Sequence, residues 1–136
     1  MKQYLLIGIL CFAIACKNDD SKGPVTPLPD APKSMSYSII TSYPHDTSSY
    51  TQGLLIYKGE MYEGTGNYTF SKLKKVDIKT GKALQQISLP DEYFGEGITI
   101  LNDTIYQLTW KEKKVFVYTL KDFKKVKEFD ANIEGW

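Results

Sequence analysis

The chain repeats itself at a spacing that few folds accommodate. Residues 53–63, GLLIYKGEMYE, align without gaps to residues 97–107, GITILNDTIYQ, 44 positions further on. Tyr62 falls on Tyr106, and the turn Lys58-Gly59 falls on Asn102-Asp103. A second pair of segments, 73–87 and 115–129, aligns at an offset of 42, with Val76 on Tyr118, Ile78 on Leu120, Leu84 on Val126 and Ile87 on Phe129. Each segment alternates apolar and polar residues around a short turn, the pattern of a β-hairpin. Two hairpins make one unit, and Ile133-Glu134-Gly135-Trp136 opens a third. Four short strands in a period of about 40–45 residues read as one blade of a β-propeller.

The rest of the folded part agrees with an all-β reading. Aromatic residues make up 13% of the chain, with ten tyrosines, and no stretch beyond the N-terminus has a helical pattern. Tyr37 to Tyr43 alternates like a further strand, and Pro44 to Ser49 reads as a loop before the first repeat. The lysines at 111–114 and 121–127 fit exposed strand faces and turns. The formal net charge of +1 gives no electrostatic footprint for nucleic acid.

Residues 1–15 read as a secretory signal: Lys2 supplies the positive start, and Tyr4 to Ile14 is an apolar run too short to span a bilayer. Ala13-Ile14-Ala15-Cys16 resembles the lipobox of bacterial lipoproteins, which implies cleavage before Cys16 and lipidation of its thiol. The other reading is an ordinary signal peptide cut after Ala15. Residues 16–33 hold Pro24, Pro27, Pro29 and Pro32 with almost no large apolar side chain, so they serve as a tether rather than a core. The domain is expected over 34–136. The expected location is outside the cytoplasm, lipid-anchored to a bacterial membrane. No cysteine follows Cys16 and His45 is the lone histidine, so the domain offers no disulfide, no thiol nucleophile and little material for a metal site; no metal or cofactor is expected.

Residues 34–136 supply about two and a half periods of that length, whereas a propeller needs about four or more blades to close. The expectation is therefore the N-terminal part of a longer propeller, inactive as this piece alone.

Six motifs occur in order: Pro44-His45-Asp46, Tyr50-Thr51-Gln52-Gly53-Leu54, Tyr62-Glu63-Gly64-Thr65-Gly66, Phe94-Gly95-Glu96-Gly97-Ile98-Thr99, Tyr106-Gln107-Leu108-Thr109-Trp110 and Glu134-Gly135-Trp136. Together they resemble the plant and bacterial type of glutaminyl-peptide cyclotransferase, a family of five-bladed propellers. That resemblance implies conversion of N-terminal glutamine of peptides or proteins to pyroglutamate with loss of ammonia and no cofactor; a monomer is expected, meeting a membrane only through the lipid at Cys16. The family's F-T-Q-G motif falls on Tyr50 and Gln52, with Tyr50 in place of the usual Phe. Its F-G-E-G falls on Phe94 and Glu96, its L-T-W on Trp110, and its E-G-W on Trp136. The implied acid/base is Glu96, and the implied substrate-binding residues are Tyr50, Gln52, Phe94, Trp110 and Trp136.

The reaction needs an unprotonated α-amine held against its own side-chain amide carbon, and a proton for the departing ammonia. A carboxylate ringed by aromatics suits both tasks, since burial raises its affinity for a proton. Each residue also has a plainer reading. Glu96 stands between two glycines and fits a residue at a strand start bonding backbone amides. Gln52 and Glu134 share its repeat position, so the repeat alone explains polar residues there. Trp110 and Trp136 fit ordinary core between blades. His45 and Asp46 look catalytic by type, but a loop-anchoring hydrogen bond suits them better. A non-catalytic lipoprotein propeller that binds peptides is the alternative function.

Overall fold

The structure is a computed structural model and describes residues 33–133. The signal, Cys16, almost all of the tether, Glu134 and Trp136 lie outside the described residues. Eight strands follow in chain order: β1 Tyr50–Tyr57, β2 Glu60–Gly66, β3 Lys72–Val76, β4 Ala83–Ser88, β5 Gly95–Leu101, β6 Thr104–Thr109, β7 Lys114–Thr119 and β8 Lys125–Asp130. They form two four-stranded antiparallel sheets, ordered β1-β2-β3-β4 and β5-β6-β7-β8. Each period of the repeat is thus one meander sheet, and the described residues contain no helix.

The turns explain the pairing. Lys58 and Gly59 both have positive φ (52° and 80°), as do Asn102 and Asp103 (49° and 56°). Two successive positive φ values are what a type I′ hairpin turn requires, and they match the twist of the flanking strands. The second turn of each sheet is equivalent too: Gly81 donates its N–H to the Asp77 carbonyl, and Phe123 donates to the Thr119 carbonyl. Gly81 (φ 70°) and Phe123 (φ 55°) share this left-handed position. A bulky residue rarely adopts it. Phe123 is held there because its ring is buried beside Tyr62, centroids 6.3 Å apart.

The core lies where the sheets meet. Tyr62, Leu73 and Leu89 from the first half pack with Ile105, Phe116, Tyr118 and Phe123 from the second. Ile98 and Ile100 on β5 join that core. Their repeat equivalents on β1, Leu54 and Ile56, are 56% and 63% exposed, so only one of two equivalent faces is covered by the described residues. β8 is exposed along its whole length, and Lys125 and Lys127 blunt that edge against pairing with another chain.

One expectation is corrected. Tyr37 to Tyr43 forms no strand; it has no ladder partner among the described residues, and Ile39 and Ile40 are largely exposed. Alternation alone does not make a strand, because the extended backbone must exchange hydrogen bonds with a neighbour.

The loop after it is firmly docked on the first sheet. Glu63 on β2 and Lys74 on β3 face each other in register, and both side chains are buried. Lys74 Nζ donates to Asp46 Oδ2 (2.9 Å) and to Ser49 Oγ, and lies 3.9 Å from Glu63 Oε2. Glu63 Oε1 accepts from Thr51 Oγ1 (2.6 Å) and pairs with His45 Nε2 (3.0 Å). A Cβ on Gly81 would lie 2.5 Å from the Pro44 carbonyl oxygen, so the loop backbone presses directly on the β3–β4 turn. His45 and Asp46 therefore act as loop anchors.

Candidate active site

Two β-bulges aim the site. In β1 the register steps from Thr51↔Thr65 to Gly53↔Gly64, leaving Gln52 as the extra residue. In β5 it steps from Gly95↔Thr109 to Ile98↔Gln107, so Glu96 and Gly97 share one place. A bulge interrupts the strict alternation of side chains and re-aims the extra one. Gln52 and Glu96 are repeat equivalents, and both are turned toward the same cleft.

That cleft has a volume of about 330 Å³ and is lined by Tyr50, Gln52, Phe94, Glu96 and Trp110. Five of the six side chains singled out for catalysis or binding thus converge; Trp136 lies outside the described residues. Phe94 is the hub of the wall. Its ring meets Trp110 (5.5 Å), Tyr68 (5.4 Å) and Tyr50 (6.2 Å), all in edge-to-face arrangements favoured by the ring quadrupole. Its carbonyl accepts from the Trp110 N–H at 3.0 Å, which ties the β6–β7 turn to the start of β5.

Glu96 is the chemically distinctive group. It is only 5% exposed, yet its carboxylate makes no hydrogen bond or ion pair among the described residues and borders the cleft. Burial pushes its carboxyl above the ordinary glutamate value, and the charge of Glu112 adds to the effect. A carboxylate bonding backbone amides would be shifted the other way, so the plain strand-start reading does not describe this side chain. A larger cleft of about 430 Å³, bordered by Lys58, Glu60, Tyr62, Lys75, Asp103, Leu120 and Lys121, has its acids paired, Lys58 with Asp103 and Lys75 with Glu60. It offers no comparable unpaired acid.

Two neighbours of the site escaped the sequence reading. Tyr68 packs on Phe94, and Glu112 accepts from the Phe94 N–H (3.3 Å, Oε2) and from the Tyr68 hydroxyl (3.0 Å, Oε1). Neither lies within the aligned repeat segments, so only tertiary contact reveals them. No group of three or more possible ligands for a metal ion occurs among the described residues.

Gly66 shows how tightly the wall is built. A Cβ there would meet Phe94 Cε1 at 2.3 Å and Gln52 Cγ at 2.9 Å. Gly66→Ala is expected to displace both side chains and to cost about 1–3 kcal/mol by overpacking. Denaturant midpoints measure the loss, and near-ultraviolet circular dichroism should change with it. An unshifted midpoint and spectrum would show that the wall gives way freely.

Comparison with known proteins points to one family. The family model described as glutamine cyclotransferase matches residues 7–136. A curated relative, the glutaminyl-peptide cyclotransferase of Arabidopsis thaliana, is 39% identical over 101 residues, covering 72% of this chain and 31% of the relative. The crystal structure of Myxococcus xanthus glutaminyl cyclase superposes with a TM-score of 0.66 at 28% identity, covering 73% of this chain and 41% of that one. The chain thus spans less than half the length of each.

Proposed function

The chain belongs to the glutamine cyclotransferase family, and from that membership and the chemistry of the cleft we propose that it carries part of the active site of a glutaminyl-peptide cyclotransferase. The observation that carries this reading is Glu96, a largely buried residue whose carboxylate opens on an aromatic cleft and has no partner among the described residues.

The α-amine of an N-terminal glutamine attacks the carbon of its own side-chain amide. The new C–N bond closes a five-membered lactam, and the amide C–N bond breaks to release ammonia. Glu96 accepts a proton from the attacking amine and returns it to the departing nitrogen, so protons balance without a cofactor. Phe94, Trp110 and Tyr50 exclude water and fold the substrate side chain back toward its amine. Gln52 hydrogen-bonds the substrate amide. In this reading the two sheets are adjacent blades of a five-bladed propeller, Trp136 joins the aromatic wall, and export with lipid attachment at Cys16 brings the site to peptides outside the cytoplasm.

The test is ammonia release from a glutamine-terminated peptide by the full-length protein, with mass spectrometry following loss of one ammonia from the peptide. Ionised Glu96 is the working form, so kcat/KM should rise with pH through a limb above the ordinary glutamate value of 4.5. The terminal amine, with a pKa of about 7.7–8.0, contributes the second limb. Binding of the peptide without ammonia release would favour the peptide-binding alternative and overturn the catalytic one.

A further inference from the structure

We propose that the Asn67–Ser71 loop, with Tyr68 and Phe70 exposed on it, is a subsite for the residue that follows the N-terminal glutamine, and that it selects an aromatic or large apolar side chain there. The inference rests on the cyclotransferase reading. With the amine and side chain of glutamine both turned toward Glu96, only the carbonyl and the next residue remain to leave the cleft. Whatever borders the mouth therefore meets the second residue of the peptide.

Tyr68 packs on Phe94, a ring that lines the cleft. It is held by edge-to-face packing on that ring at 5.4 Å and by its hydroxyl on Glu112 at 3.0 Å, yet it stays 41% exposed. Phe70, two residues on, is 68% exposed. Neither exposure comes from a loose loop. The Thr69 N–H donates to the Asp91 carbonyl (3.1 Å) and the Phe70 N–H to the Asn67 carbonyl (3.0 Å). Ser71 Oγ donates to the Asn67 carbonyl (2.7 Å) and accepts from the Gly95 N–H (2.9 Å), tying the loop to the residue before Glu96.

The loop also carries strain. Asn67 has φ 106° and Thr69 has φ 68°, and a β-branched residue rarely adopts such a value. A strained, hydrogen-bonded loop that leaves two aromatic rings exposed among the described residues adds little to the core. Rigid aromatic surfaces are well suited to binding, since little side-chain freedom is lost when a ligand covers them. Stacking on such rings is apolar and tolerant of shape, which is why the selected class is aromatic or large apolar.

The experiment compares peptides beginning Gln-Phe and Gln-Gly, using the whole protein. The expected kcat/KM preference for Gln-Phe is about tenfold. Phe70→Ser and Tyr68→Ser should each lower that ratio, and the double variant should bring it close to one. Tyr68→Phe, which keeps the ring and loses the hydroxyl, should retain it. Phe70→Ser serves alone if removal of Tyr68 unfolds the protein, because Phe70 has no side-chain hydrogen bond to lose. A wild-type ratio near one, or a ratio untouched by the serine variants, overturns the subsite. If neither peptide releases ammonia, the catalytic reading fails separately. Quenching of tryptophan fluorescence by the two peptides then decides the subsite: tighter binding of Gln-Phe, weakened by Phe70→Ser, supports it, and equal binding overturns it.

Discussion

Glu96→Gln is expected to lower turnover of glutamine-terminated peptides by about a hundredfold to ten-thousandfold, the usual contribution of a positioned general acid or base. Glutamine has nearly the same shape, so the aromatic wall of Tyr50, Phe94 and Trp110 should stay in place. What disappears is a group that can take the amine's proton and give it back. The same variant makes a second, opposite prediction for stability. Burial and Glu112 raise the carboxyl of Glu96 in the folded protein above its ordinary value of 4.5. A raised group contributes stability below its unfolded pKa and loses it as pH rises through the folded one. At neutral pH the wild type therefore bears the cost of an ionised, unpaired carboxylate, which the variant escapes. Denaturation curves should show Glu96→Gln equal to or more stable than wild type at pH 7, with the gain fading toward pH 4. Undiminished ammonia release would remove Glu96 from the chemistry. A variant destabilised at pH 7 would show that its carboxylate makes a bond the cleft does not reveal.

Lys74→Met is expected to be the most damaging single change away from the cleft, at about 3–5 kcal/mol. The Lys74 side chain is 4% exposed and that of Glu63 is 1% exposed. Removing the cation leaves the buried Glu63 carboxylate without its nearby Lys charge and deprives Asp46 of its partner at 2.9 Å. A buried carboxylate left with only the Thr51 hydroxyl and the His45 ring costs more than a methionine side chain recovers by apolar contact. The loop from Pro44 to Ser49 should detach at the same time, since Lys74 holds it at both Asp46 and Ser49. Acid should act on the same anchor. Hydrogen bonds from Ser48 and then Lys74 hold the Asp46 carboxyl well below the usual carboxylate range. A depressed carboxyl contributes stability above its unfolded value of 3.8 and loses it as pH falls through the folded one. The double variant Glu63→Gln with Lys74→Met should be milder than the single, because it removes both buried charges. Urea midpoints of the three proteins settle the matter; a loss under about 1 kcal/mol in the single variant would mean that water reaches the pair.

The two predictions draw on different kinds of knowledge. Glu96 was visible through the family motif Phe94-Gly95-Glu96-Gly97; the repeat explains only a polar residue before a glycine. The alignment of 53–63 with 97–107 places Gln52 and Glu96 at one structural position, directly before a glycine. The bulges that aim them are the physical counterpart of that repeat. The buried pair was not visible. Lys72-Leu73-Lys74-Lys75 reads as a solvated strand with one apolar face, and nothing local distinguishes Lys74 from its neighbours. Only the return of the Asp46 loop onto β3 covers it. Phe123 was hidden for a related reason: its turn matches that of Gly81, yet local sequence rules put a glycine there. Burial against Tyr62 overrides the backbone preference.

By itself the sequence determined the local periods: which stretches are hairpins, where their turns fall, and that one unit occurs again about forty residues later. Those features depend on alternation and turn chemistry, which act between near neighbours. The family motifs also named the five side chains that meet in the cleft. Tertiary structure alone decided what becomes of a residue once distant segments meet. It left Tyr37 to Tyr43 without a ladder partner among the described residues, buried Lys74 with Glu63, and drew Tyr68 and Glu112 against Phe94. It also left Glu96 largely buried, with no partner for its carboxylate among the described residues. Burial and pairing depend on segments far apart in the chain, and no local pattern carries that information.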